Sequence, residues 1–232
     1  MSHAAEVLSG HDFDLGTVPV REVNRALHAA RSGSFTIRNP GGEHALACGL
    51  NAPLRVTIEG HAGYYCAGMN RLAEVVVHGN AGTGLAENIM SGVVHCTGNA
   101  SQSAGATGHG GLVVVGGNAS ARCGISMKGV DIVVGGNVGH MSGFMAQKGR
   151  LVVLGDAGAG LGDSLYEAEI FVRGAVAGLG ADCIEKPMEA GHVHALTDLL
   201  RQAGMDADPA DFRRYGSARK LYNFHIDNAG AR

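Results

Sequence analysis

The sequence predicts an all-β protein: a single-stranded right-handed parallel β-helix of about seven 19-residue coils, with an N-terminal helix and a short helical C-terminal extension. Glycine recurs every 19 residues without a slip, a short β-branched run precedes each of these glycines, and asparagine follows four of the seven. A fixed period of this length is typical of stacked-repeat folds, and it is shorter than the roughly 33 residues that a helix–turn–helix repeat needs. The seven glycines are Gly60, Gly79, Gly98, Gly117, Gly136, Gly155 and Gly174.

The β-branched runs supply the strands of the predicted coils. Stacking places equivalent residues above one another, so runs such as Val75–Val77 and Ile132–Val134 are expected to fill the interior. A polar ladder is expected at one corner, where side chains bond to each other and to the bend backbone. Its members are Asn80, Asn99, Asn118, Asn137 and Asp156. We expect the repeated glycines to take positive φ at these bends.

Three segments follow from the repeat. Residues 1–33 precede it and contain one predicted amphipathic helix that Gly33 ends. Residues 34–187 form the β-helix, with an irregular first turn at Phe35–Ile37. Residues 188–232 form a helical cap and an interaction tail, with a capping helix at Glu189–Ala203 and a second short helix at Pro209–Tyr215.

Composition excludes several classes of function. A formal net charge of −3, without a basic stripe, argues against nucleic acid as a partner. No apolar run reaches the roughly 18 residues of a membrane span, and the N-terminus lacks the features of a secretory signal, so we expect a cytoplasmic protein. The cysteines are Cys48, Cys66, Cys96, Cys123 and Cys183. Their number is odd and they form no CxxC pair, so we expect reduced, buried thiols and no bound metal.

Two motifs invite a catalytic or binding interpretation. The glycine-rich stretch 158–162 keeps the register of the repeat, so it indicates a bend rather than a phosphate-binding loop. Asp163 and Asp182 share one repeat position on adjacent coils, which leaves open a polysaccharide-acting β-helix enzyme. No serine–histidine or cysteine–histidine pair can be placed. We therefore predict no catalytic, cofactor-binding or metal-binding residue in this chain.

Two surfaces are predicted to contact partner proteins, because both concentrate aromatic and cationic residues, which are enriched at interfaces. One is the coil that carries Tyr64, Tyr65 and Arg71, for which packing at an end cap is the alternative. The other is the tail, where the interface residues are predicted to be Arg213, Arg214, Tyr215, Arg219, Lys220, Tyr222 and Phe224.

The 19-residue period, the literal Gly-x-Gly-x-Gly at 158–162 and the tail motif at Tyr215–Phe224 resemble the GXGXG domain of glutamate synthases. The resemblance covers residues 15–230. The glycine period is shared with C-type subunits of formylmethanofuran dehydrogenases, so a scaffold subunit of a formyl-transferring complex stays an alternative. The tail motif favours the glutamate synthase family.

The resemblance implies a subunit of a split, three-gene glutamate-synthase-type enzyme, as in N-methylglutamate synthase, where this chain would be the B subunit. That enzyme converts methylamine and L-glutamate to N-methyl-L-glutamate and ammonia. The family's GXGXG domain is non-catalytic and braces the other modules. The implied partners are an amidotransferase-like subunit and a synthase-like subunit, which would carry FMN and an iron–sulfur cluster.

Overall fold

A computed structural model describes residues 11–220 and contains one 11-stranded sheet and two α-helices in that range. The strands follow one another along the sheet in chain order up to β9, and the last two are then exchanged, β9–β11–β10. The elements are β1 (His11–Asp14), α1 (Val20–Ala29), β2 (Gly33–Arg38), β3 (Leu54–Glu59), β4 (Glu74–Val77), β5 (Val93–Cys96), β6 (Leu112–Val115), β7 (Lys128–Val134), β8 (Lys148–Val153), β9 (Glu169–Val172), β10 (Cys183–Lys186), α2 (Ala190–Ala203) and β11 (Arg213–Ser217), with a short 3-10 helix at Pro209–Asp211.

The parallel strands confirm the predicted β-solenoid with its period of 19 residues. From β3 to β9 each strand pairs in parallel with the next, and paired residues such as Val56 and Val75 are one repeat apart. The first turn is irregular, as predicted, because Phe35 pairs with Val56 across a longer coil. Strand β1 was not predicted: His11 pairs with Phe35 and adds one more parallel strand before α1.

The interior of the solenoid is filled by the side chains that point inward from equivalent positions. In β4 the inward residues are Val75 and Val77, and both are fully buried. A second inner stack joins Ala62 to Ala81, Ala100 and their successors through isolated parallel bridges. Because the same position repeats in each coil, one continuous apolar core runs along the rod.

Six of the seven repeated glycines do not take positive φ, which corrects the sequence prediction for those six. Of the seven, only Gly60 has a positive φ, of 136°. The others are needed because the coils approach closely at this corner. A Cβ at Gly117 would lie 2.5 Å from Oδ1 of Asn99 and 3.0 Å from the carbonyl oxygen of Gly98. The missing side chain therefore leaves room for the asparagine of the preceding coil.

Left-handed backbone occurs instead on the opposite side of each coil. In the coil of Tyr65 it occurs at that residue, at Ala67 and at Met69, with φ of 59°, 53° and 57°. The same three positions are left-handed in the following coils, where serine, threonine and arginine also occupy them. The stacked neighbours hold these bends, because each coil donates and accepts backbone hydrogen bonds across them.

Helix α2 covers the outer face of the sheet rather than the end of the solenoid, so the predicted capping role is wrong. Its buried residues contact the outward side chains of β6 to β9, among them Val133, Val152 and Phe171. The buried residues of α2 are Leu196, Leu199, Leu200 and Ala203. These outward positions are apolar without interruption from β6 to β9, whereas the earlier coils have Thr57, Val76 and His95 there. The outer apolar face thus selects where α2 packs.

The second predicted helix is also wrong beyond its first turn. Asp208 accepts a hydrogen bond from the N–H of Ala210 and begins a 3-10 helix, as an N-cap residue should. The chain then extends as β11, which pairs antiparallel with both β9 and β10. Tyr215 is buried in the main core, and this burial stabilises the strand. Neither α-helix of residues 11–220 is long and apolar enough to cross a membrane.

Candidate interaction surface

The corner beside the repeated glycines carries an uninterrupted ladder of side chain to backbone hydrogen bonds. Oδ1 of each ladder residue accepts the backbone N–H of the residue one coil later, at 2.7 to 2.8 Å. The acceptors are Asn80, Asn99, Asn118, Asn137 and Asp156, and the last donor is Ala175. His61 begins the ladder, since its Nδ1 accepts from the N–H of Asn80 at 2.9 Å. Sequence reasoning missed His61, although it stands at the same repeat position.

The ladder predicts a specific loss of stability for Asn99→Ala. The substitution removes the acceptor for the N–H of Asn118 and a weaker contact between the side chains of Asn99 and Asn80. We expect the free energy of unfolding to fall by about 1 kcal/mol, measured by denaturant titration. The control is Asn99→Asp, which keeps the acceptor, as Asp156 does in the native chain. An unchanged stability of Asn99→Ala would contradict the structural role of the ladder.

The coil that follows His61 exposes an unusual number of large apolar side chains. Tyr64, Tyr65, Met69 and Leu72 lie within residues 64–72, and each is half exposed or more. We call these four residues the aromatic patch. In the next three coils the position of Met69 is polar and the position of Leu72 is serine or glycine. The residues are Asn88, Thr107 and Ser126 at the first position, and Ser91, Gly110 and Gly129 at the second. Comparing repeat positions could therefore have found these two residues, which sequence reasoning missed.

The two tyrosine rings of the aromatic patch lie along the rod axis. The ring of Tyr64 stacks on His44 with a centroid distance of 4.4 Å and an interplanar angle of 3°. The ring of Tyr64 also lies against Gly82, where a Cβ would be 2.7 Å from the ring. The ring of Tyr65 lies against Gly84 at the same distance from a Cβ there. The rings are thus held in place by packing within this chain, so they present a pre-ordered apolar surface.

The predicted tail interface is divided between internal contacts and the surface. Arg214 donates to Glu169 at 2.9 Å and to the carbonyl of Pro187 at 3.0 Å, and its side chain is only 11% exposed. His192 of α2 contacts the same carboxylate of Glu169 at 3.2 Å, so β9, α2 and β11 meet there. Tyr215 is buried as well. Arg214 and Tyr215 therefore hold this chain together rather than present an exposed surface.

The remaining tail residues lie near the surface. Arg213 donates to the carbonyl of Gly174 at 2.9 Å, and Arg219 pairs with Glu167 at 3.6 Å, with both arginine side chains about half exposed. Lys220 is exposed. Tyr222 and Phe224 lie outside the described residues. On the other predicted surface, Arg71 is exposed beside the aromatic patch.

The two carboxylates that could have formed a catalytic pair are used as hydrogen-bond acceptors in turns. Asp163 accepts from the hydroxyl of Ser164 at 2.7 Å and from the N–H of Ala181 at 3.1 Å. Asp182 accepts from the hydroxyl of Ser217 at 2.7 Å. The groove beside Asp182 is not lined by Asp163. The geometry therefore does not favour an acid–base pair in one cleft.

The glycine-rich stretch 158–162 is a bend of the solenoid. Gly160 and Gly162 take left-handed φ of 72° and 63°, as the equivalent residues of other coils do. Gly158 packs against the backbone of the preceding coil, where a Cβ would collide with Gly139. No helix begins after this stretch, so it lacks the helix N-terminus of a dinucleotide-binding turn. Its glycines allow left-handed backbone and the close approach of the preceding coil.

The thiols are poorly suited to nucleophilic or ligand chemistry. All five cysteines are free, and four of them are buried. Burial raises the pKa of Cys96 to about 11 and the pKa values of Cys123 and Cys183 to about 12. The thiolate is the nucleophile and metal ligand, so these groups stay protonated near neutral pH. Residues 11–220 contain no cluster of three or more histidine, cysteine or carboxylate side chains that could hold a metal ion.

A comparison with curated proteins decides the family. Protein GlxC of Rhizobium meliloti (strain 1021) is 61% identical over 224 residues, which cover 94% of this chain and 98% of GlxC. The chain belongs to the GlxC family. No family model matches it, and no solved structure matches it.

The similarity to GlxC extends over nearly the full length of both chains. The match spans nearly all of both proteins, so the solenoid, α2 and the C-terminal strands are not a small module of a larger GlxC protein.

Proposed function

We propose that this chain is a non-catalytic scaffold subunit of a glutamate-synthase-type complex, and specifically of N-methylglutamate synthase. Its partners in this proposal are an amidotransferase-like subunit and a synthase-like subunit that carries FMN and an iron–sulfur cluster. The proposal rests first on the resemblance of residues 15–230 to the glutamate synthase GXGXG domain. It rests also on the continuous core and the hydrogen-bonded ladder of the solenoid, an architecture suited to holding other subunits at a constant separation.

The observation that carries the scaffold role is the aromatic patch. Exposed apolar clusters on soluble proteins mark interaction sites, and tyrosine, methionine and arginine are enriched at protein interfaces. The four patch residues lie on one coil beside Arg71, and the tyrosines are ordered before any partner arrives. Among the described residues we find no set of catalytic side chains that converge in one cleft, so catalysis does not account for this surface. A partner subunit is therefore the ligand that best fits this surface.

The test is reconstitution with the two proposed partners. We expect the isolated chain to be colourless and inactive, and to enter a flavin-containing complex when it is co-expressed with both partners. Size-exclusion chromatography with detection at a flavin wavelength measures the assembly. The formyl-transferring alternative predicts co-purification with a metal–pterin subunit instead. A chain that assembles with neither proposed partner would exclude the proposed function.

A patch variant tests which surface is used. Tyr65→Ser together with Leu72→Ser should weaken assembly by roughly tenfold or more, since buried anchors dominate interface energies. The matched control is Val193→Ser, which removes an exposed apolar side chain from α2 at a distant place in the fold. Circular dichroism confirms that each variant is folded. Equal assembly of the patch variant and the control would exclude the aromatic patch as the interface.

A further inference from the structure

A polar groove of about 160 Å³ lies where β9, β11 and β10 run side by side in the sheet. Five charged residues contribute to its lining, namely Lys186, Arg214, Arg219, Glu167 and Glu169. The groove therefore combines three cations with two carboxylates, which leaves an excess of one positive charge. It is separate from the aromatic patch, which belongs to a coil near the other end of the solenoid.

Gly216 of β11 leaves the space that the groove occupies. A Cβ at this position would lie 3.3 Å from Cδ of Lys186 and 3.5 Å from its Cε, so the stem of Lys186 lies directly over the glycine. Lys186 belongs to the neighbouring strand β10, where it pairs with Arg214 of β11. Gly216 does not have a positive φ, so the strand uses its missing side chain rather than its backbone freedom.

Both carboxylates of the groove already have cationic partners. Glu169 accepts from Arg214 at 2.9 Å and contacts His192 of α2 at 3.2 Å. Glu167 pairs with Arg219 at 3.6 Å. The excess positive charge of the groove is consequently that of Lys186, whose ammonium group forms neither an ion pair nor a hydrogen bond with any of residues 11–220.

Arg214 supplies a second donor for a ligand. Its Nε donates to the carbonyl of Pro187 at 3.0 Å and its Nη1 to Glu169, and these two bonds fix the guanidinium plane. Its Nη2 makes no hydrogen bond to the described part of the chain. The side chain is only 11% exposed, so this donor is held in place before a ligand arrives.

We propose that this groove binds the carboxylate group of a small organic acid, with Nζ of Lys186 and Nη2 of Arg214 as donors. Charged donors form the strongest hydrogen bonds to carboxylates, and the single excess charge matches a monoanion. Since a water molecule occupies about 30 Å³ in the liquid, the groove has room for a carboxylate with a few carbon atoms but not for a nucleotide. The site belongs to the isolated chain and does not depend on the proposed function.

The experiment titrates the ¹⁵N-labelled, full-length chain with sodium acetate and follows the backbone amide signals of Lys186 and Gly216 by NMR. Sodium chloride at matched ionic strength controls for salt, and acetamide controls for a ligand of the same shape without charge. The test variant Lys186→Met keeps an unbranched stem over Gly216 but removes the ammonium group. The matched control is Lys128→Met, which removes an exposed lysine at the start of β7, two strands before β9.

We expect acetate to shift both signals to saturation with a Kd of about 1–10 mM, the range for a few-atom ligand held by two charged donors. Lys186→Met should raise the Kd roughly tenfold or more, and Lys128→Met should leave it unchanged. Acetamide and chloride should cause no saturable shift. The three ligand titrations use the native chain, so they test the site whether or not a variant folds.

Three results would each overturn the proposal. The first is the absence of saturation with acetate, which would mean that the groove does not bind a free carboxylate. The second is an equal response to chloride, which would indicate general screening of charge. The third is a folded Lys186→Met variant that binds acetate as tightly as the native chain does.

Discussion

Gly117→Ala is expected to lower the free energy of unfolding by about 2–3 kcal/mol, as overpacking at a rigid contact does. The added Cβ would lie 2.5 Å from Oδ1 of Asn99 and 3.0 Å from the carbonyl oxygen of Gly98. Asn99 cannot move away without releasing the N–H of Asn118, and the Gly98 backbone is bonded on to the N–H of Gly117. The coil must therefore separate locally or lose a ladder bond. Denaturant titration measures the effect.

Two controls distinguish this contact from a general cost of alanine. Gly178→Ala adds the same methyl group in the last coil, where nothing lies within 4 Å of the new Cβ, and it should change stability by less than about 0.5 kcal/mol. The double variant Gly117→Ala with Asn99→Ala removes the colliding side chain. It should lose less than the sum of the single losses, by about 1 kcal/mol. Strict additivity of the two substitutions would contradict the proposed collision.

Phe171→Ala should have the larger effect, a loss of about 3–5 kcal/mol in the free energy of unfolding. Phe171 points outward from β9, is fully buried, and belongs to the apolar cluster that holds α2 on the sheet. Its removal leaves a cavity between the sheet and the helix. Calorimetry measures the loss, and hydrogen exchange should show that residues 190–203 lose protection before the coils do.

Two control substitutions, Phe171→Leu and Leu179→Ala, test whether the loss comes from the buried volume of Phe171. The leucine keeps most of the apolar volume and should cost less than half as much, whereas Leu179 is 40% exposed and should tolerate alanine with a loss below about 1 kcal/mol. If α2 kept its protection in Phe171→Ala, the outer cluster would not be what holds the helix.

The solenoid could be predicted because its determinants are local and repeated. The spacing of Gly60, Gly79 and their successors sets the coil length, and the inward valines follow with the same period. The ladder positions also follow from spacing, since residues 19 apart, such as Asn99 and Asn118, must stack. The physical reason for the glycines was not evident, because it depends on the distance between coils rather than on the φ of one residue.

The ends of the chain were harder to predict. Arg213–Ser217 reads as the continuation of a helix that begins at Pro209, yet it forms a strand because β9 and β10 both offer backbone partners. Arg214 and Tyr215 look like surface residues in the sequence. In the structure Arg214 forms an ion pair with Glu169, and Tyr215 is buried in the main core. The hydrogen-bond partners of Arg214 are 27 and 45 residues away in the sequence, so no local sequence pattern predicts these contacts.

The aromatic patch was found in part. Tyr64, Tyr65 and Arg71 differ visibly from the small residues around them, so the sequence alone indicates that this coil is unusual. Met69 and Leu72 belong to the patch because the folded coil leaves both side chains more than half exposed, which their apolar character in the sequence does not indicate.

The sequence by itself determined the coil length, the parallel stacking, the inward ladders and the polar corner, because each of these repeats a local pattern that stacking can satisfy in one register only. The tertiary structure decided where α2 packs, how β11 closes the sheet and which side chains remain exposed. Those features depend on contacts between residues far apart in the chain, whose free energies become available only after the coils have assembled.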